Sequence, residues 1–148
     1  MDERQARLIQ QKLVNMERYM EELGPYLEGH LEEYLERPGR RRIVERLAQV
    51  IIESAIDTSN LLILASGGVP ASTARECFAT AHALGIIDGH LLARFRQTYV
   101  GLRDRIVHDY DALDNTVVYL AAKRLIGDTQ EYVGSVYRYL SEIKDHSE

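Results

Sequence analysis

Residues 101–110 place Arg103, Asp104, Arg105, His108 and Tyr110 at the end of a segment that otherwise reads as an amphipathic helix. Arginine and histidine together can act on a phosphodiester without a metal. Arginine grips a phosphate through a planar fork of donors and stays charged at any working pH. Histidine gives or takes a proton near neutrality. On a helix Asp104 and His108 stand at i, i+4 and share a face, so the carboxylate can orient the imidazole. Arg103 and His108, at i, i+5, lie about 140° apart and would have to flank one groove rather than share a stripe. Arg103 and Tyr110 align if the helix continues that far. The plain alternative is a histidine near a helix C-terminus amid surface ion pairs.

The elements that must position these residues are all helical by periodicity. Residues 2–23 carry Leu8, Val14, Met16, Met20 and Leu23 among charges and end at Gly24-Pro25. A second segment with Tyr26, Leu27, Leu31, Tyr34 and Leu35 closes at Arg37-Pro38-Gly39, either as a separate short helix or as the first one after a kink. The strongest helix spans residues 41–65, with Ile43, Leu47, Val50, Ile51 and Leu61 on its apolar side. Its second stripe is polar: Arg42, Arg46, Gln49, Glu53, Asp57 and Asn60. Their spacing confines all six to an arc of roughly 80°. Such a stripe is either a solvent face or the lining of a cleft.

Beyond the break at residues 66–70, Ser72 or Thr73 can cap a short helix, with Glu76 completing a capping box. Cys77, Phe78, Ala81 and Leu84 form its apolar side, and Gly85 ends it. The next helix has Leu91, Leu92, Phe95, Tyr99, Leu102 and Ile106 as its stripe, and the Arg–His run is its last two turns. Asp111 and Asp114 offer caps for a final helix from about residue 115 to 144, with Val117, Val118, Leu120, Leu125, Val133, Val136, Leu140 and Ile143 apolar. No stretch alternates with period two long enough for a strand. The expectation is a single all-α domain over residues 1–148, a bundle of five or six helices.

Composition narrows the function classes. The chain has 148 residues, 45% hydrophobic and 28% charged, as in ordinary globular proteins. Its net charge of −5 disfavours non-specific nucleic-acid binding over the whole surface. Arginine far outnumbers lysine, and five arginines crowd into residues 37–46, either a solvated helix start or a local phosphate-attracting patch. The most apolar stretch, residues 51–65, is interrupted by Glu53, Asp57 and Asn60, so no membrane span is expected. The first residues lack a signal-peptide core, and Cys77 is the only cysteine; both fit a cytoplasmic protein. His30, His82, His90 and His146 have no comparable sequence neighbours and read as structural or surface residues. No His/Cys/Asp/Glu cluster has zinc spacing, so no metal is expected, and Gly67-Gly68 lacks the Lys-Ser/Thr of a phosphate loop.

Residues 67–114 resemble the HepT family, a branch of the HEPN superfamily of small helical proteins. The resemblance rests on Arg103, His108 five positions on, and Tyr110 two further. The flanking Pro70, Gly85-Ile86-Ile87, Gly101-Leu102, Asp111 and Asp114 are in the family style. Arg105 stands too near His108 to serve as the motif arginine. Many relatives carry Asn after the arginine, where this chain has Asp104. The resemblance implies a HEPN-like up-and-down bundle that forms a homodimer and acts as a metal-independent endoribonuclease of a toxin–antitoxin pair with no cofactor. It implies that His108 serves as general base or acid, Arg103 binds the scissile phosphate, and Asp104 orients the site. Arg42, Arg46 and Arg105 would bind RNA, while Gln49, Glu53, Asp57 and Asn60 would line the cleft. It further implies an MntA-type nucleotidyltransferase antitoxin that inactivates the toxin by adding AMP to Tyr110. A non-catalytic nucleotide-binding or scaffold module acting with such a transferase is the competing expectation.

Overall fold

In the computed structural model, which describes residues 1–146, helix α1 (Glu3–Leu23) starts at a reciprocal cap: Asp2 Oδ1 accepts from the Gln5 amide, and Gln5 Oε1 accepts from the Asp2 amide. Gly24-Pro25 then tightens the chain into a 3₁₀ turn (Gly24–Leu27), and α2 (Leu31–Glu36) follows as a separate short helix. Pro38 opens α3 (Pro38–Ala65), where its missing N–H costs no hydrogen bond. Thr73 Oγ1 accepts from the Glu76 amide to cap α4 (Ala74–Ala83), while the Glu76 carboxylate takes the Ser72 hydroxyl instead of closing a reciprocal box. Gly85, at φ +79°, terminates α4: its amide bonds the His82 carbonyl and the Ile86 amide bonds that of Ala81.

Helix α5 (Gly89–Arg94) runs without a break through a π turn (Phe95–Tyr99) into α6 (Val100–His108). A short 3₁₀ turn (Tyr110–Ala112) joins it to α7 (Asn115–His146), whose start is capped by Asp114 Oδ1 on the Thr116 and Val117 amides. Counting the α5–α6 rod as one, six helical rods make up the bundle and no strand forms among the described residues.

The buried core joins Ile9, Leu13 and Met16 of α1, Val44, Ala48, Ile51, Ile52 and Ala55 of α3, Phe78 of α4 and Tyr132 of α7. This turns α3 from its expected orientation. Val44 and Ile52 point inward, whereas Ile43 is exposed and Leu47, Val50 and Leu61 are only half-buried. Small residues at Ala48, Ala55 and Ser59 let neighbouring rods approach, and Ser59 and the Ala55 carbonyl both bond the buried Tyr132 hydroxyl, at 2.6 and 3.0 Å. Likewise in α7, Val118, Ala121 and Ala122 are buried while Val117 and Leu120 face outward. Helix α3 has the length and apolar content of a membrane span, unlike the interrupted stretch read from residues 51–65. Its inward face is nevertheless core of this bundle.

Phe95 sits at the hub behind the motif helix, with ring centroids 4.7 Å from Phe78, 5.0 Å from Tyr99 and 5.7 Å from Tyr132. The π turn is fixed by the Val100 amide bonding the Phe95 carbonyl and by the Tyr99 hydroxyl donating to Asp128 on α7. Burial and the Asp128 carboxylate both push the Tyr99 phenol far above its ordinary range, so it stays a donor.

Candidate active site

Helix α6 buries Leu102 and Ile106, which leaves Asp104, Arg105 and His108 on the outward side and Arg103 at the edge of the core. Arg103 Nε stands 3.3 Å from Asp104 Oδ1 but out of alignment for a hydrogen bond, so this buried donor has no hydrogen-bond acceptor. Asp104 therefore faces Arg103. Among the described residues no ion pair or hydrogen bond joins Asp104 to His108, contrary to the i, i+4 expectation; the adjacent guanidinium is the stronger electrostatic attraction for the carboxylate. His108 is exposed in the last turn.

The helix does not continue to Tyr110. Asp109 leaves helical geometry at φ −135°, ψ 45°, and its amide closes the helix on the Arg105 carbonyl. Tyr110 consequently swings away from the α6 axis, and its hydroxyl accepts a 3.1 Å hydrogen bond from Arg42 Nε at the start of α3. A cavity of about 230 Å³ lies there, lined by Pro38, Arg41, Arg42, Glu45, Tyr110 and Asp111. Arg42 also borders a larger neighbouring cavity of about 760 Å³, together with Arg40, Arg46 and Tyr26. Glu45 is buried, and desolvation raises its carboxyl pKa against the opposing pull of Arg41 and Arg42. The sequence reading passed over Glu45 because it looks like one more charge in an arginine-rich helix start. Its inward position is visible only once the rotation of α3 is known.

The polar stripe of α3 divides. Arg42 reaches Tyr110 and Arg46 lines the neighbouring larger cavity, but the remaining four are engaged elsewhere. Gln49 donates to Glu53 at 3.1 Å, Asp57 pairs with Lys12 of α1 at 3.6 Å, and Asn60 Oδ1 accepts from the Ala71 amide at 3.1 Å. No hydrogen bond or ion pair among the described residues ties these four to Arg103 or His108. Arg105 is exposed on α6.

Outside this site, His90 does have neighbours that sequence spacing hides. Its Nε2 stands 3.7 Å from Asp128 Oδ1 and 3.9 Å from Glu131 Oε2, with all three possible ligand atoms within 4.8 Å of one another. Asp128 is already engaged by Tyr99 and by Arg94 Nε at 3.8 Å, so the cluster reads first as a tie between the α5–α6 rod and α7. His82 Nδ1 lies 3.0 Å from the Ile87 carbonyl. The side chain of His146 lies outside the described residues. Burial lifts the Cys77 thiol to about 11, which keeps it protonated and unreactive.

Six helical rods that present an arginine and a histidine at one helix end make an all-α bundle of the HEPN type. A model of the HepT-like ribonucleases matches residues 16–136, and the chain belongs to that family. It is 26% identical over 141 residues to the tRNA nuclease HepT of Aphanizomenon flos-aquae (strain 2012/KM1/D3), with 95% of each chain covered. The tri-AMPylated HEPN toxin of Shewanella oneidensis, solved in complex with MNT antitoxin, shares the fold at a TM-score of 0.80 and 20% identity. That match covers 93% of this chain and 99% of the toxin. The cytosolic protein of unknown function YutE from Bacillus subtilis has a TM-score of 0.78 at 14% identity, covering 93% and 91%.

Proposed function

We propose that this ribonuclease is the toxin of a toxin–antitoxin pair and that it cleaves RNA by side-chain acid–base chemistry at Arg103 and His108. The observation that carries the reading is a motif arginine whose Nε lacks a hydrogen-bond acceptor, on the same helix as an exposed His108. His108 takes the proton from a ribose 2′-OH as that oxygen attacks the adjacent phosphorus. The bond to the 5′-oxygen breaks, and the leaving oxygen acquires a proton, giving a 2′,3′-cyclic phosphate and a 5′-OH end. Arg103 binds the non-bridging oxygens and stabilises the charge that grows on them. Asp104 holds the Arg103 guanidinium, and Arg42, Arg46 and Arg105 add attraction for the RNA backbone. A homodimer that brings two histidines to one cleft supplies both the base and the acid. The exposed Val107 on the motif helix suits a place in such an interface.

Tyr110 is the control point in this reading. A partner nucleotidyltransferase positions ATP so that the phenol oxygen attacks the α-phosphorus; pyrophosphate leaves and the phenol proton is released. The product puts a phosphodiester beside Arg42, where it competes with RNA for the site. The similarity to an AMPylated toxin held by its antitoxin supports this step.

The test is RNA cleavage by pure protein in the presence of a chelator. His108→Ala should lose at least about a hundredfold in rate, the scale of a general acid–base group, with its helical circular dichroism unchanged. Cleavage by the variant at the wild-type rate would remove the catalytic assignment and leave the scaffold reading.

A further inference from the structure

The motif helix has a second basic neighbour that plays no part in the chemistry at Arg103 and His108. Arg75, in the first turn of α4, lays its guanidinium over Gly101: a Cβ added at Gly101 would stand 4.0 Å from Arg75 Nη2. Gly101 is on the same face of α6 as His108, within about 20° by helix rotation and about 10 Å away along the axis. Arg75 also lines a cavity of about 470 Å³ with Arg96 and Gln97, over a floor of Gly89, Leu92 and Ala93. Arg96 and Gln97 belong to the π turn, a departure from α geometry that often marks functional sites.

The three polar side chains are exposed, and among the described residues neither guanidinium has an ion-pair or hydrogen-bond partner. Arg94 on the same rod shows the contrast, being spent on Asp128. The floor is low at Gly89 and Ala93, which offer almost no side chain, so a polymer backbone can approach the helices closely there. On a protein of net charge −5 two uncompensated arginines there are a local feature rather than part of a general basic surface.

We propose that Arg75, Arg96 and Gln97 form a second RNA-backbone site, in line with His108 along α6, in which each arginine takes one phosphate away from the cleavage point. The proposal rests on the ribonuclease reading for the direction of the strand. An acidic protein segment is the rival occupant. RNA is favoured because Gly101, beneath the Arg75 guanidinium, lies on the α6 face that ends at the proposed catalytic histidine.

The experiment measures binding of a fluorescein-labelled single-stranded RNA by anisotropy across a salt series, in a His108→Ala background that prevents cleavage. Adding Arg75→Ala and Arg96→Ala should weaken binding about tenfold at low salt. The slope of log affinity against log salt should flatten by roughly 1.4, from two phosphate contacts at about 0.7 each on a single strand. Arg75→Lys with Arg96→Lys should restore most of the affinity, and thermal melts should match in all three proteins. With His108 present, Arg75→Ala/Arg96→Ala should cleave a dinucleotide, too short to reach the groove, at the unchanged rate. Unaltered affinity and slope in the double alanine variant would overturn the site, as would loss of antitoxin binding with RNA affinity intact. Arginine-dependent RNA binding by a protein that never cleaves would uphold this site while sinking the catalytic reading.

Discussion

Asp109 is where the motif changes direction. Because its backbone leaves the helix, Tyr110 meets Arg42 of α3 instead of stacking over Arg103. Sequence spacing supplied the three motif residues but not this partner, since a bond between positions 42 and 110 has no local signature. The geometry gives Arg42 a defined task. In the proposed modification it holds the phenol oxygen for the transferase and faces the phosphate that would be attached there. Removing a charge-assisted hydrogen bond is worth about 1.5–3 kcal/mol, so Arg42→Ala should slow AMP addition by the cognate transferase roughly tenfold or more. Tyr110→Phe should abolish it. Mass spectrometry of the toxin after timed incubation with antitoxin and ATP reads both effects. AMP found on another residue of the Phe variant, or wild-type kinetics with Arg42→Ala, would contradict the assignment.

At the scale of elements, the α5–α6 rod decides how the motif is presented. Its stripe of Leu91, Phe95, Tyr99, Leu102 and Ile106 was legible because the 4, 4, 3, 4 spacing is helical. The π turn was not, since one inward stripe satisfies either geometry and the determining contact, Tyr99 to Asp128, comes from α7. The face of α3 was misread for a related reason. Ile43 looked like core and Glu45 had no place in either stripe, yet the tight contacts at Ala48, Ala55 and Ser59 set the rotation, and these small residues carry little hydropathy signal. Likewise the i, i+4 rule that linked Asp104 to His108 ignored Arg103 as a nearer partner for the carboxylate. The cluster of Tyr99, Asp128 and His90 therefore acts as the clamp on the motif helix. Tyr99→Phe leaves a mostly buried carboxylate short of a donor, at a cost of about 1–3 kcal/mol. Thermal unfolding should fall by several degrees, and the loss in RNA cleavage should appear in kcat more than in KM, because the helix shifts with His108 and Arg103 on it while Arg42 and Arg46 on α3 still attract the RNA backbone. A variant with wild-type melting and kcat would show that the clamp does not set the motif helix.

Across the whole molecule, the cost of forming the arginine-lined cavity beside Tyr110 falls on Glu45. The bundle removes this carboxylate from water, and Arg41 and Arg42 only partly compensate, so its pKa rises above the ordinary 4.5. A carboxyl whose folded pKa exceeds its unfolded one favours folding most below the unfolded value, and that contribution is lost as pH climbs through the folded value. Wild-type protein therefore carries a penalty at neutral pH that it does not carry in acid. Glu45→Gln, which keeps the shape and removes the charge, should raise the urea midpoint at pH 7. The gain should shrink toward zero as pH falls below the ordinary carboxylate range. An equal gain at both pH values would point to packing instead of charge, and no gain at pH 7 would mean that Arg41 and Arg42 fully offset the desolvation. In the former case the cavity beside Tyr110 would owe its shape to side-chain volume; in the latter, the two arginines would already be spent on Glu45 and less able to attract the phosphate of a modified Tyr110.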